Sequence, residues 1–401
     1  MRFLFVMHDL VWPRQSGHDV HGYSMMRALA EGGHEISLAT VRELSTEAIA
    51  GVPLRWRGTL DLYRDISEAS PWSSLTERFR SYWGVEPRRI AAVGQLAREL
   101  TTNIVVAVGL DVLPYLGAVA EAQRVWYAGD EWIWHHLSQW QLGKRSNWDH
   151  GREAILKGLY ERAFAKHMDR VWVVSKSDQL AMQWAVGHDR IDVVPNGVDT
   201  EHYQPIVTEE LPRSCVFWGR LDFGPNLQAV TWFLRRVWPM VRIAVPDARF
   251  TIYGFRPTIE ALTWSGHDGV EVVADLPDLR GEIARHQVVV LPFVSGGGIK
   301  NKLLEAASMG RAIIGSRHAC NGLDPGAAFA LVRANHRNAW VQTLCNLWDD
   351  DVKRRDLGAR ARRWVLGGHT WSSAASVVTA GLATKYREIP PARKSPIAPL
   401  S

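Results

Sequence analysis

The sequence predicts an α/β protein made of two Rossmann-like, doubly wound domains in tandem. Three observations carry that prediction. The chain has 401 residues, enough for two cores of ordinary domain size. Short β-branched, apolar runs alternate with helical patterns in both halves, the signature of parallel sheets covered on both faces. Between the halves lies a turn-rich stretch that looks like a linker, from Pro195-Asn196-Gly197-Val198-Asp199 to about Pro212.

In the first half the strand candidates are Arg2–Met7, Glu35–Ala39, Ile104–Val108, Arg124–Tyr127, Arg170–Val174 and Ile191–Val194. Helical patterns fall between them at Tyr23–Glu31, Ile90–Leu100 and Ala154–Lys166. In the second half the strand candidates are Cys215–Trp218, Arg249–Tyr253, Val270–Val273, Val288–Leu291, Ala312–Gly315 and Ala328–Val332. The expected organisation is a first domain over 1–200, a second over 201–370, and a helix over 371–388 able to return to the first. A tail over 389–401, rich in proline and basic residues, is too poor in apolar residues to build a core and is expected to be mobile.

Composition narrows the function classes. Hydrophobic residues make up 46% and charged residues 22%, which is ordinary for a globular protein. The net charge of +5 is compatible with anionic substrates or a peripheral membrane contact, and no nucleic-acid-binding signature accompanies it. Cys215, Cys320 and Cys345 are too few and too scattered for a disulfide framework or a zinc site, which fits a cytoplasmic protein. No apolar run reaches the roughly 18 residues of a membrane span.

The most informative segment runs from Leu291 to Gly310. It reads as a buried strand, a turn at Gly296-Gly297-Gly298, then a helix carrying Lys302 and Glu305 in its first turns. Glycines let a phosphate approach the backbone, and a helix N-terminus offers unpaired N–H groups. A lysine adds a mobile cation, and a carboxylate about a turn later can accept from ribose hydroxyls. The segment is not a dinucleotide fingerprint, because Asn301 stands where the third glycine belongs, nor a P-loop, which needs Gly-Lys-Ser/Thr. Read by itself it serves a nucleotide diphosphate or an ordinary βα turn equally well.

Two further motifs decide between these readings. Val194-Pro195-Asn196-Gly197-Val198-Asp199 resembles the interdomain signature of retaining glycosyltransferases of the GT-B fold, family 4 type. Phe217-Trp218-Gly219-Arg220-Leu221-Asp222 resembles the strand-and-arginine motif that opens their donor domain, and Lys302 to Arg311 resembles their nucleotide-ribose helix. Order and spacing match, most strongly from about Val171 to Leu323. The glycine triplet with a lysine resembles bacterial exopolysaccharide-cluster members in particular.

This resemblance implies a GT-B architecture with two Rossmann-like domains facing a central cleft. It implies metal-independent transfer of a hexose with retained configuration from a nucleotide-sugar, a UDP-sugar, to a saccharide or small-molecule acceptor, without a cofactor. Arg220 then contacts the donor diphosphate, Glu305 the ribose, and Gly17 lies in a loop over the sugar phosphates. Gly297, Gly298, Ile299, Lys302 and Leu303 line the donor pocket. Two departures stand out. Gly297 occupies the place of the family's first glutamate, and Asn226 occupies the place of a lysine whose charge Lys302 or Lys300 can supply. The missing glutamate is the one hint of the alternative, a catalytically silent GT-B partner subunit.

On the acceptor side, Asp130 follows a strand and can orient a hydroxyl or act as a base, although strand-end aspartates also cap helices. Trp132, Trp134 and Trp140 offer faces for stacking on a sugar, and His18, near Gly17, can touch donor or acceptor. Asp349-Asp350-Asp351 superficially resembles a metal-binding triplet, but its remoteness from both loops favours solvated charge.

Overall fold

The computed structural model describes residues 1–12, 14, 17–60, 86–129, 146–266, 268–296 and 298–386. They group into two compact units, one within Met1–Trp134, Gly151–Pro195 and Trp371–Ser401, the other within His135–His150 and Asn196–Thr370.

The first unit holds a seven-stranded sheet in the order β3-β2-β1-β4-β5-β6-β7, and every pair in it is parallel. Its strands are β1 (Arg2–Met7), β2 (Glu35–Thr40), β3 (Leu54–Thr59), β4 (Ile104–Val108), β5 (Gln123–Gly129), β6 (Arg170–Val173) and β7 (Ile191–Val193). Along β1, Phe3 and Phe5 enter one core while Leu4 and Val6 enter another. Both faces are covered, which is why the strand reads as an unbroken apolar run. Helix α1 (Gly17–Glu31) and the last helix of the chain (Trp371–Tyr386) cover one face. There the His21 ring lies 5.8 Å from that of Tyr127 and 5.5 Å from that of Trp371. Helices α2 (Pro87–Glu99), α3 (Ser146–Ala165) and α4 (Lys176–Val186) cover the other. Ser175 caps α4 by accepting from the Asp178 N–H at 3.1 Å, and Gly187 ends it in the left-handed region at φ 70°.

The second unit holds a six-stranded parallel sheet in the order β10-β9-β8-β11-β12-β13. The strands are β8 (Leu211–Arg220), β9 (Arg249–Phe255), β10 (Val270–Ala274), β11 (His286–Leu291), β12 (Ala312–Gly315) and β13 (Val332–Arg333). Its helices are α5 (Gly224–Arg236), α6 (Trp238–Ala244), α7 (Ile259–Leu262), α8 (Arg280–Arg285), α9 (Asn301–Ser308), α10 (Ala327–Ala330), α11 (Arg337–Asp349) and α12 (Asp351–Gly368), so that Trp371–Tyr386 is α13. One core fills the unit, from Phe217, Phe233 and Phe250 to Trp340.

The structure departs from the sequence expectations in four places. Strand β3 is additional: Arg55 and Arg57 interrupt its apolar character, because an edge strand exposes alternate side chains. The expected strand Ala328–Val332 is instead the helix α10 followed by the two-residue β13; alanines favour the helix, and Phe329 is exposed. Pro212 lies inside β8, whose first residues precede the buried part of the strand. The acidic triplet does more than meet solvent: Asp350 caps α12 by accepting from the Lys353 N–H at 2.8 Å, and Asp351 pairs with Arg354 and Arg355. All three cysteines are free thiols. Among the described residues no helix is long and apolar enough to cross a membrane.

Candidate functional site

In the second unit β8 has β9 on one side and β11 on the other, so the chain leaves these two central strands in opposite directions. Loops at the carboxyl ends of such a strand pair form the ligand crevice of open parallel sheets. The predicted donor residues of this unit fall on the two segments that leave β8 and β11.

After β8, Gly219 adopts φ +141°, a conformation that side-chain-bearing residues rarely take. A β-carbon there would come within 2.8 Å of the Lys302 Nζ. The Arg220 guanidinium clamps Asp222 through two 2.9 Å hydrogen bonds, which raise the arginine's pKa and hold the Asp222 carboxyl below its usual range. Both side chains remain about one-third exposed, at 36% and 32%. Asn226, in the first turn of α5, donates from Nδ2 to the Arg220 carbonyl at 2.8 Å. Its Oδ1 accepts from the Lys302 Nζ at 2.7 Å.

After β11, the turn is held from both ends. Gly296 and Gly298 take left-handed φ values of 92° and 65°. Lys300 folds back to donate to the Gly296 carbonyl at 3.1 Å, and Ser295 donates to Gln228 of α5 at 2.6 Å. Buried Asn196 donates to Asn301 Oδ1 at 2.9 Å and to the Ile299 carbonyl at 3.4 Å, fixing the entry into α9. Leu303 is wholly buried and gives its N–H to the Lys300 carbonyl at 2.8 Å, so it packs the helix rather than lining open space.

Lys302 and Glu305 form the chemical centre of α9. The Lys302 ammonium lies 4.5 Å from the ring centroid of Phe217 and 4.9 Å from that of Phe293. Burial pushes its pKa down to about 7; Glu305 opposes that shift and Lys300 adds to it. Burial raises the Glu305 carboxyl, against the pull of the Trp218 hydrogen bond and of Lys302. Trp218 Nε1 donates to Glu305 Oε2 at 3.0 Å, and the Glu305 charge in turn pushes the Tyr203 phenol upward. Lys302 and Glu305 thus lie together on α9, a cation beside a carboxylate whose orientation a tryptophan sets, and Asn226 ties Lys302 to the segment that carries Arg220. Such a set can hold a diphosphate and a pair of hydroxyls. Among the described residues no group of three or more His, Cys, Asp or Glu could hold a metal ion.

The first unit has its own cluster at the equivalent place, the ends of β1 and β4. His18 in the first turn of α1 and Asp111 after β4 converge on Gly109, where a β-carbon would meet His18 Cε1 at 2.6 Å and Asp111 Oδ1 at 3.0 Å. His8 Nδ1 lies 3.5 Å from Asp111 Oδ2. Burial raises the Asp111 carboxyl, with His18 and His8 pulling it back down. Gly17 is the exposed first residue of α1. Trp126, close in sequence to the tryptophans assigned to the acceptor, is core, donating to the Gly109 carbonyl at 3.1 Å. Asp130, Trp132, Trp134, Trp140 and Gly297 lie outside the described residues.

Sequence reasoning missed three residues. Asp111 had the same strand-end position that singled out Asp130. Trp218 sat inside the quoted arginine motif, but nothing local pointed its indole at Glu305. Asn226 registered only as a lost lysine, although it is the group that holds Lys302.

The sequence profile described as "Glycosyltransferase Family 4" matches residues 15–202, and that described as "Glycosyl transferases group 1" matches residues 212–350. No curated protein sequence matches the chain. Among solved structures, sucrose-phosphate synthase from Thermosynechococcus elongatus is similar at 15% identity and a TM-score of 0.69, covering 96% of this chain and 99% of that one. HepE from Anabaena, in complex with UDP, is similar at 13% identity and a TM-score of 0.66, covering 96% and 100%. TarM from S. aureus, in a complex that includes UDP, is similar at 10% identity and a TM-score of 0.69, covering 95% and 99%.

Proposed function

Because the chain belongs to the family 4 type of GT-B glycosyltransferases, we propose that it moves a hexose from a UDP-sugar to a hydroxyl acceptor with retained anomeric configuration. The observation that carries this reading is the meeting of the segments that leave β8 and β11, where Asn226 bonds both the Arg220 carbonyl and Lys302, and Trp218 bonds Glu305. UDP as the nucleotide is supported by the similar folds of HepE, solved with UDP and with UDP-glucose, and of TarM.

The chemistry follows from where charge develops. As the bond from sugar to phosphate breaks, negative charge grows on the leaving diphosphate. Arg220 and Lys302 are the groups that stabilise it, and they act strongly because a shielded site weakens electrostatic interactions less than water does. Arg220 reaches the phosphate by exchanging one carboxylate partner, Asp222, for another anion, so its hydrogen-bonding cost is small. Glu305, kept in place by Trp218, accepts from the ribose hydroxyls. The acceptor hydroxyl loses its proton to an oxygen of the departing phosphate, so the reaction needs neither a protein nucleophile nor a metal. In the first unit His18 and Asp130 are assigned to the acceptor side, with Trp132, Trp134 and Trp140 as stacking surfaces. The acceptor is a saccharide of a bacterial surface polymer or a small metabolite.

A thermal-shift and calorimetric screen of UDP, GDP, ADP, dTDP, CMP, NAD and UDP-sugars tests the reading. Selective stabilisation by UDP, abolished in Glu305→Ala, is expected; a hundredfold excess over Kd gives about 2.7 kcal/mol. A response to NAD alone, or to no nucleotide, refutes it.

A further inference from the structure

On the donor reading above, on which this inference rests, Glu305 holds the ribose while Arg220 and Lys302 hold the diphosphate. The sugar then hangs from the far phosphate, beside the turn that joins β11 to α9. The segment that leaves β12 borders the same turn. Strands β11 and β12 pair in parallel, with Leu291 opposite Gly315. Just beyond them Ser316 donates from Oγ to the Phe293 carbonyl at 2.6 Å, and from its N–H to the Leu291 carbonyl at 3.1 Å. The two segments therefore form one wall, and both lie within the second unit.

Cations gather on that wall. Lys300 folds its ammonium onto the Gly296 carbonyl at 3.1 Å, with the ring centroid of Phe293 5.4 Å away. Arg317 and His318 follow Ser316 and are exposed. His318 sits below its ordinary pKa, first through partial burial and then through the charges of Lys300 and Arg317. Both cations are thus within electrostatic reach of the imidazole, which as a neutral ring still offers an N–H.

Acceptors are what the wall is short of. A neutral hexose presents hydroxyls, each of which donates as well as accepts. The glutamate that would take such a proton is replaced in this chain by Gly297. Backbone carbonyls could stand in, but four of them already accept within the protein: Phe293 from Ser316, Gly296 from Lys300, Ile299 from Asn196 and Lys300 from the Leu303 N–H. A lining of donors and positive charge is matched by a group that only accepts, and a carboxylate is such a group on a sugar. The diphosphate does not consume this charge, because it has its own cations in Arg220 and Lys302. We therefore propose that the donor is the UDP derivative of a hexuronic acid, a hexose oxidised at C6, whose carboxylate is held by Lys300 and Arg317 with His318 beside them.

The test is calorimetry of the full chain with matched pairs, UDP-glucuronic acid against UDP-glucose and UDP-galacturonic acid against UDP-galactose, with UDP alone as reference. The members of each pair differ only at C6, so damage to the nucleotide site cancels in the ratio of their Kd values. In at least one pair the hexuronate is expected to bind at least about tenfold more tightly, or about 1.4 kcal/mol. That advantage should shrink as salt rises. Lys300→Gln is expected to abolish it, and Arg317→Gln to lower it about threefold, since an exposed ion pair is worth less. Melting curves and the Kd for UDP report the fold and nucleotide site of each variant. Equal or weaker binding of the hexuronate in both pairs, with UDP still bound, overturns the hexuronate assignment alone. An advantage that survives both substitutions overturns the site. Failure of UDP itself to bind defeats the donor reading, and the assignment with it.

Discussion

Lys302 makes the pH dependence of donor binding a sharp test of the site. Its ammonium faces Asn226 at 2.7 Å between the rings of Phe217 and Phe293, and burial lowers its pKa to about 7, against about 10.4 for a free lysine. A diphosphate placed beside it favours the charged form, so binding must raise that pKa and take up a proton. Below pH 7 the lysine is already charged and the Lys302 contribution to Kd is flat. Above pH 7 the charge has to be restored on binding, and Kd should weaken by about tenfold per pH unit until the liganded pKa is reached. The assay is calorimetry of UDP binding from pH 6 to 9, run in two buffers of different ionisation enthalpy. Near pH 8 the heats should report uptake approaching one proton per UDP. Ionisation of UDP itself is common to all variants, so the comparison with Lys302→Met isolates the lysine: the mutant should bind more weakly at pH 6.5 and converge on the wild type by pH 9. Identical pH profiles for the two proteins, or wild-type binding that tightens above pH 7, would refute the assignment of Lys302 to the phosphates.

The same shift has a stability counterpart of definite sign. The folded state sheds this proton near pH 7 while the unfolded chain keeps it to about pH 10.4, so the buried ammonium costs stability below pH 7 and that cost fades between the two values. Lys302→Met should therefore raise Tm more at pH 6 than at pH 9 in ligand-free melts. Trp218→Phe removes the donor to Glu305, a hydrogen bond to a charged group of about 1.5–3 kcal/mol. Steady-state kinetics should show it mainly as a higher donor KM, with acceptor KM unchanged. Gly219→Ala forces a side chain into φ +141° and pushes on the Lys302 tip, so chemical denaturation should show a loss of about 1–3 kcal/mol and UDP binding should weaken with it. Glu305→Ala and Arg220→Ala should each lower turnover by orders of magnitude with melting curves intact, and added EDTA should leave wild-type turnover unchanged; near-wild-type rates in both variants, or a strong EDTA effect, would count against the site or the metal-free mechanism.

Much of this protein was legible from the chain alone. Strands such as Arg2–Met7 and Val288–Leu291, buried on both faces, leave no freedom in their pattern, and nearly every central strand was recognisable for that reason. Edges were not. Strand β3 alternates with arginines, and Ala327–Ala330 is too short for any period to declare itself. Arg220, Lys302 and Glu305 could be named because their two segments, ambiguous when taken singly, together resemble the ordered motifs of family 4 glycosyltransferases.

What local sequence could not supply is which group meets which. Asn226 and Lys302 are 76 positions apart, and Trp218 and Glu305 are 87 apart. Each pair meets only because parallel pairing sets β8 beside β11, delivering the loops after both strands to one edge of the sheet. The same placement, not any property of lysine in sequence, lowers the Lys302 pKa, since burial is decided by what packs around it. In the first unit His18 was visible and Asp111 was not, although they share Gly109 as a neighbour. The amino-acid sequence determines the fold class, the central strands and the residue types able to hold a diphosphate, because these depend on periodicity and short-range chemistry. Only the tertiary structure decides their partners, protonation and orientation, because those depend on strand order and on the exclusion of water.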